Sequence, residues 1–418
     1  MASSARDTIL LYYHYVDIDC LEDSIKMQED WCVELELFGR IRVSPEGLNG
    51  TIDGCKSNIL TYIDRMNGHY VDSQQETGNG KSLKTIDWKI AFYPNQCKQR
   101  FDKISIKKSK EVVSLDIIDE EVVRKVKEMG PGKYVSAQEF HEELSNPSEN
   151  LLLLDVRNYY ETRIGRMEYE IQKNMSIANT DDNNEVYNGM SFEKVRPIDP
   201  MTRSFSDFKF FADTHVEKWK NKKILMYCTG GVRCELASAY LKYKGVDDVN
   251  HLYGGIQRYL EAFPPDETKS FFKGRNFVFD PRVSVRPEKD SLNDSNQEQL
   301  SHDPESPIDP TPTSKNATTT STCCCLFTFF SLATPSIKQS STNVNLKSAY
   351  RAEVGKCLKC AFPFDNYASP YGAKQDQIRC PKCRVLVLVC DNCILIDKEA
   401  SVNTLCELCV KKERDSSR

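Results

Sequence analysis

The chain of 418 residues has no apolar run long enough to cross a bilayer, which takes about twenty consecutive apolar residues, so no membrane span is expected. No secretory leader is expected either: Met1-Ala2-Ser3-Ser4-Ala5-Arg6-Asp7 leads straight into a strand-like segment with no apolar core before it. There is no surplus of basic charge, the formal net charge being −5. That excludes a polycationic chain and leaves any nucleic-acid contact to a local patch. Histidine is scarce, with 6 scattered residues, so a histidine-built metal centre is not expected. Cysteine, by contrast, is abundant at 17 residues. Without an export signal, metal thiolates are favoured over disulfides. A reducing compartment follows, the cytoplasm or alternatively the nucleus.

Composition and periodicity divide the chain into four parts. Residues 8–115 alternate strand and helix patterns: Leu10-Leu11-Tyr12-Tyr13, a helix from about Asp19 to Phe38, Gly39 to Val43, Asn49 to Gly54, a helical Ile59 to Met66, and a late strand Trp88 to Phe92. This β-α-β-β-α-β order predicts a ferredoxin-like (acylphosphatase-like) α+β domain, with the polar stretch Gln74 to Ser82 as a loop. Residues 134–275 carry the continuously apolar runs Leu151-Leu152-Leu153-Leu154, Ile224 to Tyr227, and Val249 to Tyr253. Such runs suit strands buried on both faces of a parallel sheet, and a doubly wound α/β domain is expected. Ligands bind beyond the carboxyl ends of such strands, where Asp155, Cys228 and Gly254-Gly255 fall. Residues 284–350, rich in Ser, Thr, Asn and Pro, read as a disordered linker; within it, Cys323-Cys324-Cys325-Leu326-Phe327-Thr328-Phe329-Phe330 is too short to span a bilayer and reads as a sticky patch, with a lipidated segment or a docking peptide as alternatives. Residues 351–418 form a Cys-rich module.

The stretch with most chemistry is Ile224-Leu225-Met226-Tyr227-Cys228-Thr229-Gly230-Gly231-Val232-Arg233-Cys234. It reads as a buried strand, a glycine-rich loop, and a helix beginning near Cys234. A thiol at a helix N-terminus, inside a nest of main-chain N–H groups, is stabilised as thiolate. Cys228 is therefore the candidate nucleophile. Arg233 follows at C-x4-R, one residue tighter than the C-x5-R loop of tyrosine-phosphatase-like enzymes. The smaller ring of amides from Thr229, Gly230, Gly231, Val232 and Arg233 suits one terminal sulfur, a persulfide. Gly230 and Gly231 permit the backbone to turn those groups inward, and Arg233 adds fixed positive charge. Cys234 is either a resolving thiol or inert packing under the first helical turn. Asp155, Arg157 and Glu161 form the opposite wall, with Asp155 expected to brace loop amides and Arg157 to pair with a carboxylate; orientation of substrate is the alternative role. His251 reads as a satisfied core or rim histidine.

These motifs resemble those of a rhodanese domain: Asp155-Val156-Arg157 with Glu161, Tyr227 to Glu235, and Leu252-Tyr253-Gly254-Gly255-Ile256. More narrowly, the chain is similar to the tRNA uridine hydroxylase family, rhodanese-like proteins with a ferredoxin-like N-terminal domain. The further stretches are Leu11 to Val16, Gly39-Arg40-Ile41-Arg42-Val43-Ser44-Pro45-Glu46-Gly47-Leu48-Asn49-Gly50-Thr51, and Asn276 to Val283. The resemblance implies oxygen-dependent hydroxylation of the wobble uridine of tRNA to 5-hydroxyuridine, with Cys228 essential and tRNA as partner. The chain departs from the family at Gly165-Arg166-Met167-Glu168, where Gly-His is usual, and in the acidic insert Asp181 to Glu185.

Lys98, Arg100, Lys103, Lys107, Lys108 and Lys110, with Phe92, Tyr93 and Phe101 nearby, read as a cluster between the first two domains; Lys103, Lys107 and Lys108 are the candidate RNA contacts. The tail holds four C-x-x-C pairs: Cys357 with Cys360, Cys380 with Cys383, Cys390 with Cys393, and Cys406 with Cys409. Eight thiolates fill two tetrahedral sites, so two structural zinc ions are expected, with iron–sulfur ligation as the rival. Sequential and interleaved pairing both fit the spacing. Three functions are open: tRNA uridine hydroxylation through Cys228, general sulfur transfer from a small donor through a Cys228 persulfide, and a non-enzymatic adaptor built on the metal module. An interleaved metal arrangement with a dispensable Cys228 would mark the last.

Overall fold

The computed structural model describes residues 6–71, 86–92, 101–175, 189–264, 270–277, 284–285, 354–367 and 377–416. The Gln74 to Ser82 stretch, Lys98, Arg100, Tyr93, the acidic insert and Cys323 to Cys325 lie outside these residues.

Alternation governs the N-terminal domain. Strand β1 (Thr8–Tyr15) pairs with β3 (Gly47–Gly54), which pairs with β2 (Phe38–Ser44), and β4 (Lys89–Phe92) flanks β1. Helices α1 (Leu21–Glu34) and α2 (Lys56–Tyr70) complete the β-α-β-β-α-β order. Leu10, Tyr12, Ile41, Val43, Leu48 and Ile52 point to one face and pack with Cys32, Ile59, Tyr62 and Met66 of the two helices. The period of two therefore sends Leu11 and Tyr13 to the opposite face. A fifth strand, β5 (Ile104–Lys108), runs parallel to β2 and gives the order β4-β1-β3-β2-β5. The basic residues expected between the domains are thus part of this edge strand and the residues flanking it. Lys107 pairs in register with Arg42, on the face of Tyr13, whereas Lys108 pairs with Val43 on the helix side and bonds Glu22 of α1 at 2.8 Å. One cluster was expected; alternation splits it over two faces.

The second domain is doubly wound. Strands β6 (Lys133–Val135), β12 (Val249–Leu252), β11 (Lys223–Tyr227) and β7 (Leu151–Asp155) form a parallel sheet in that order. Helices α3 (Glu120–Met129), α6 (Phe208–His215) and α7 (Val232–Tyr243) bring Val126, Phe208 and Ala237 to one face. Helices α4 (Ala137–Ser145) and α8 (Gly255–Ala262) bring Phe140, Leu144, Ile256 and Tyr259 to the other. A capping box at Ser136 and Glu139 starts α4. Between β7 and β11 lie the one-turn helix α5 (Tyr159–Thr162), β8 (Gly165–Met167) and the hairpin of β9 (Tyr169–Met175) with β10 (Gly189–Val195). Strand β13 (Phe272–Gly274) pairs with β8, and β14 (Asn276–Phe277) with β15 (Ser284–Val285).

The Cys-rich module holds α9 (Asp391–Ile396), α10 (Lys398–Val402) and α11 (Glu407–Ser416). Val385, Val387 and Val389 pack with Tyr159 in a small shared core. Tyr367 donates its hydroxyl to the Tyr160 carbonyl at 3.0 Å, and Arg163 pairs with Glu407 at 2.8 Å. The module is thereby seated on α5. Among the described residues, no helix is long and apolar enough to cross a membrane.

Candidate active site

Cys228 follows the last residue of β11, and α7 begins at Val232, two residues earlier than the sequence suggests. The turn closes at Gly231, whose φ of 101° an L side chain rarely adopts. Its N–H points at the Cys228 sulfur, 3.1 Å away. From outside, Ile256 and Gln257 at the start of α8 donate to the carbonyls of Cys228 and Thr229 at 2.9 and 3.2 Å. Gly255 permits that approach, because a Cβ there would sit 2.5 Å from the Cys228 carbonyl oxygen. The loop's carbonyls are thus engaged by α8 on the outside, while the Gly231 N–H turns in toward the sulfur.

Cys228 has no exposed surface. Burial alone would push its thiol up. That penalty is outweighed by a hydrogen bond from the Cys234 thiol, the Arg233 charge, and the main-chain N–H groups of Cys234 and Gly231, so the pKa falls to about 5. That direction favours the thiolate of Cys228 at neutral pH. Cys234 goes the other way: burial and the adjoining anion hold it protonated. Cys234 is thereby a buried neighbour whose thiol favours the anionic form of Cys228.

Arg233 is held by a buried carboxylate. Its guanidinium makes a bidentate pair with Glu161 at 2.7 and 2.9 Å and bonds the Thr229 hydroxyl at 3.1 Å. Burial would raise the Glu161 carboxyl, but Arg233 and Arg157 keep it below its ordinary range. Asp155 accepts from one loop amide, the Arg157 N–H at 3.1 Å, and otherwise turns to side chains rather than to the Cys228 loop. Its two oxygens take the Arg157 Nε and Nη2 at 2.9 and 2.6 Å and the Thr162 hydroxyl at 3.0 Å. The reason is reach: the Arg157 side chain, also fully buried, folds back on the carboxylate two residues before it. Arg157 pairs with a carboxylate, as read, and that carboxylate is Asp155. The neutral His251 lies against Tyr134, ring centroids 4.4 Å apart and tilted by 56°, burial lowering its pKa to about 4. It is buried, as expected of a core histidine, with the Gly132 main chain as its polar neighbour and no well-formed hydrogen bond at either ring nitrogen.

The N-terminal domain closes the site, which motif reading did not anticipate. A Cβ at Gly230 would lie 2.8 Å from Leu11 Cδ2, and one at Gly231 would lie 3.0 Å from the Tyr13 hydroxyl. Tyr13 donates to Glu235 of α7 at 2.8 Å. Lys89 is fully buried on the same face, its ammonium 2.6 Å from Asp87, and Asp87 bonds Arg258 of α8 at 2.7 Å. One signal was present in the sequence: a lysine set between Trp88 and Ile90 inside a strand.

In the tail, the sulfurs of Cys357, Cys360, Cys390 and Cys393 lie within 4.8 Å of one another, as do those of Cys380, Cys383, Cys406 and Cys409. Pairing is interleaved, first pair with third and second with fourth. Each tetrad could hold a metal ion. Arg203 of the second domain reaches the Cys409 sulfur at 3.6 Å.

The model of the UPF0176 acylphosphatase like domain matches residues 8–112, and that of the rhodanese-like domain matches residues 136–262. Rhodanese-like domain-containing protein 6 of Arabidopsis thaliana is 32% identical over 410 residues, which cover 96% of this chain and 52% of that protein. Rhodanese-like domain-containing protein 7 of the same plant is 33% identical over 296 residues, covering 66% of this chain and 59% of that protein. The chain therefore spans little more than half the length of these relatives. A rhodanese-related protein from Thermoplasma volcanium has 22% identity, 32% of this chain and 95% of that chain covered, and a TM-score of 0.18, too low to carry an argument.

Proposed function

We propose that this chain, which belongs to the rhodanese-like domain proteins carrying a UPF0176 acylphosphatase-like N-terminal domain, is an enzyme that accepts sulfane sulfur on Cys228. The observation that carries this is the Cys228 thiolate in its closed loop, with a pKa lowered to about 5 and a Gly231 N–H 3.1 Å from the sulfur. A thiolate attacks the outer sulfur of a donor and becomes a persulfide; the same N–H and the Arg233 charge then face an anionic sulfur again. Glu161 keeps Arg233 in place. With thiosulfate as donor and cyanide as acceptor, the protein is expected to form thiocyanate, and Cys228→Ser to lose that turnover. A wild-type protein that shows neither turnover nor an added sulfur on Cys228 by mass spectrometry sinks this reading.

A second reading is hydroxylation of the tRNA wobble uridine with oxygen as oxidant, the activity implied by the motif resemblance. Two features favour a large substrate. The loop lies under a second domain, a cover that a small soluble donor does not require. The covering face continues as a basic stripe, since Tyr13, Asn49, Arg42 and Lys107 are register neighbours across β1, β3, β2 and β5. Exposed Arg42 and Lys107 would meet phosphates. Unchanged 5-hydroxyuridine-derived nucleosides in tRNA from cells lacking the protein would count against it.

Zinc is the metal that the tail suits. Four thiolates at about 2.3 Å from a tetrahedral ion lie roughly 3.8 Å apart, and Cys357 to Cys393 is 3.9 Å, Cys360 to Cys390 3.6 Å. A closed thiolate set supplies folding energy, not an open position for chemistry. Interleaved tetrads are what the adaptor reading expected, but here the module spends one face on α5, whose Glu161 holds Arg233. That placement makes it a support for the enzyme site.

A further inference from the structure

We propose that Lys89 of the N-terminal domain is the residue that binds the anionic leaving group of the sulfur donor over Cys228, an inference that rests on the sulfur-transfer reading. Register puts it there. Lys89 pairs with Leu11 across β4 and β1, so both side chains leave the sheet on the face away from α1 and α2. That face lies on the catalytic loop: a Cβ at Gly230 would meet Leu11 Cδ2 at 2.8 Å and Lys89 Cδ and Cε at 3.6 Å. The Lys89 stem thus crosses the loop that holds the nucleophile.

The charge arrangement is not that of an ordinary structural ion pair. A buried ammonium requires compensation, and Lys89 is 0% exposed. Its partner Asp87 accepts from Lys89 at 2.6 Å and from Arg258 at 3.1 and 2.7 Å. One carboxylate is therefore shared by two cations, of which Arg258 has a second carboxylate, Glu261, at 2.6 Å, whereas Lys89 has Asp87 alone among the described residues. Among the described residues, the ammonium has two hydrogen-bond partners, the Asp87 carboxylate and the Asp87 carbonyl at 3.3 Å, which engage two of its three donors. The Tyr13 ring lies 5.2 Å from it. Charge at Cys228 acts on both Lys89 and Tyr13, which places these two residues of the other domain within electrostatic range of the sulfur.

The step this serves is displacement on a thiosulfate-class donor. The Cys228 thiolate attacks the sulfane sulfur; the Cys228–S bond forms and the S–S bond of the donor breaks. The bonding pair leaves with the sulfonyl group as sulfite, giving Cys228–S–S⁻ and SO₃²⁻ with no proton required. Negative charge grows on the departing oxygens, where a fixed ammonium stabilises the transition state more than the free donor.

The test uses the full chain with Lys89→Met and Lys89→Arg, and two probes of Cys228 that differ in charge. Wild-type protein should react faster with iodoacetate, relative to iodoacetamide, than Lys89→Met does, by several-fold, and Lys89→Arg should keep most of the preference. For thiosulfate with cyanide, Lys89→Met should lose about 10- to 100-fold in kcat/KM, mostly in kcat. An unchanged iodoacetate preference in folded Lys89→Met overturns the role of Lys89 even if turnover is normal. A lost preference with neither thiosulfate turnover nor an added sulfur on Cys228 in the wild type keeps Lys89 as an anion site and overturns the sulfur-transfer reading. No modification of Cys228 by either reagent overturns both.

Discussion

Cys228 and the eight tail cysteines meet the same problem, that of placing a sulfur anion inside a protein, in two ways. At Cys228 the counter-charge is made of fixed protein groups: one N–H at 3.1 Å, a neighbouring thiol, and Arg233. The scaffold beneath it is complete without the thiolate, with β11, α7 and α8 packed in cores of aliphatic and aromatic side chains. In the tail, each tetrad puts four sulfurs within 4.8 Å, and four anions at that spacing repel one another strongly unless a cation sits among them. The difference teaches where reactivity can reside. A thiolate balanced by weak, directional donors keeps a lone pair for chemistry; a thiolate balanced by a metal has given it away.

Metal removal is the strongest way to break this comparison. Structural metal binding contributes about 10–16 kcal/mol of apparent free energy in small thiolate modules, far above what the few valines of the tail can supply. Chelation is expected to expose the amides of residues 377–416 to rapid hydrogen exchange while β7, β11 and β12 stay protected. Tail protection that survives metal loss would mean the module folds on its own core, and the contrast would fall. Cys390→Ser should lower the metal content from two ions per chain toward one, as elemental analysis reads it.

Arg233→Ala tests the other half. Its removal leaves Glu161 buried without its main partner, at a cost of about 3–5 kcal/mol, seen as a lower melting temperature. It also removes a charge that favours the thiolate, so the pKa of Cys228 should move up from about 5 toward the ordinary 9.0. The sign follows from linkage: the native state holds Cys228 ionised at pH values where the unfolded chain still binds the proton. The resulting stability is complete above the unfolded value and is lost as the pH falls through about 5. In Arg233→Ala that window narrows from its lower end. At pH 6 the variant should alkylate more slowly than the wild type.

How far these features were legible in the sequence depends on how local they are. The glycine loop after β11, the strand ends at Asp155 and Cys228, and the C-x-x-C pairs are short-range patterns, and the structure places each in the kind of element that its pattern implies. Partner choice was not local. Asp155 turned to Arg157 and left the loop's arginine to Glu161, because which carboxylate reaches Arg233 depends on how α5 is seated. The start of α7 moved because Gly231, not the apolar pattern, ends the turn. Interleaving of the cysteine pairs depends on chain path between pairs, to which the spacing of each pair is blind. Lys107 and Lys108 looked like one patch until β5 put them on opposite faces.

Cys234 gives the smallest and sharpest test, because it lies between the two regimes. It is a buried cysteine that neither binds metal nor loses its proton, and its S–H is the first of the protein groups that lower the Cys228 pKa. Cys234→Ala removes the donor and leaves a small void under α7. A cavity of that size costs about 1–2 kcal/mol, and the alkylation midpoint of Cys228 should rise from about 5. Cys234→Ser restores an O–H donor of similar reach, so its midpoint should return toward the wild-type position even though a hydroxyl is the poorer fit to an apolar pocket. If both variants titrate like the wild type, the neighbouring thiol contributes packing alone. The low pKa of Cys228 would then belong to Arg233 and the main chain, and its independence from other sulfur would make the contrast with the tail more complete.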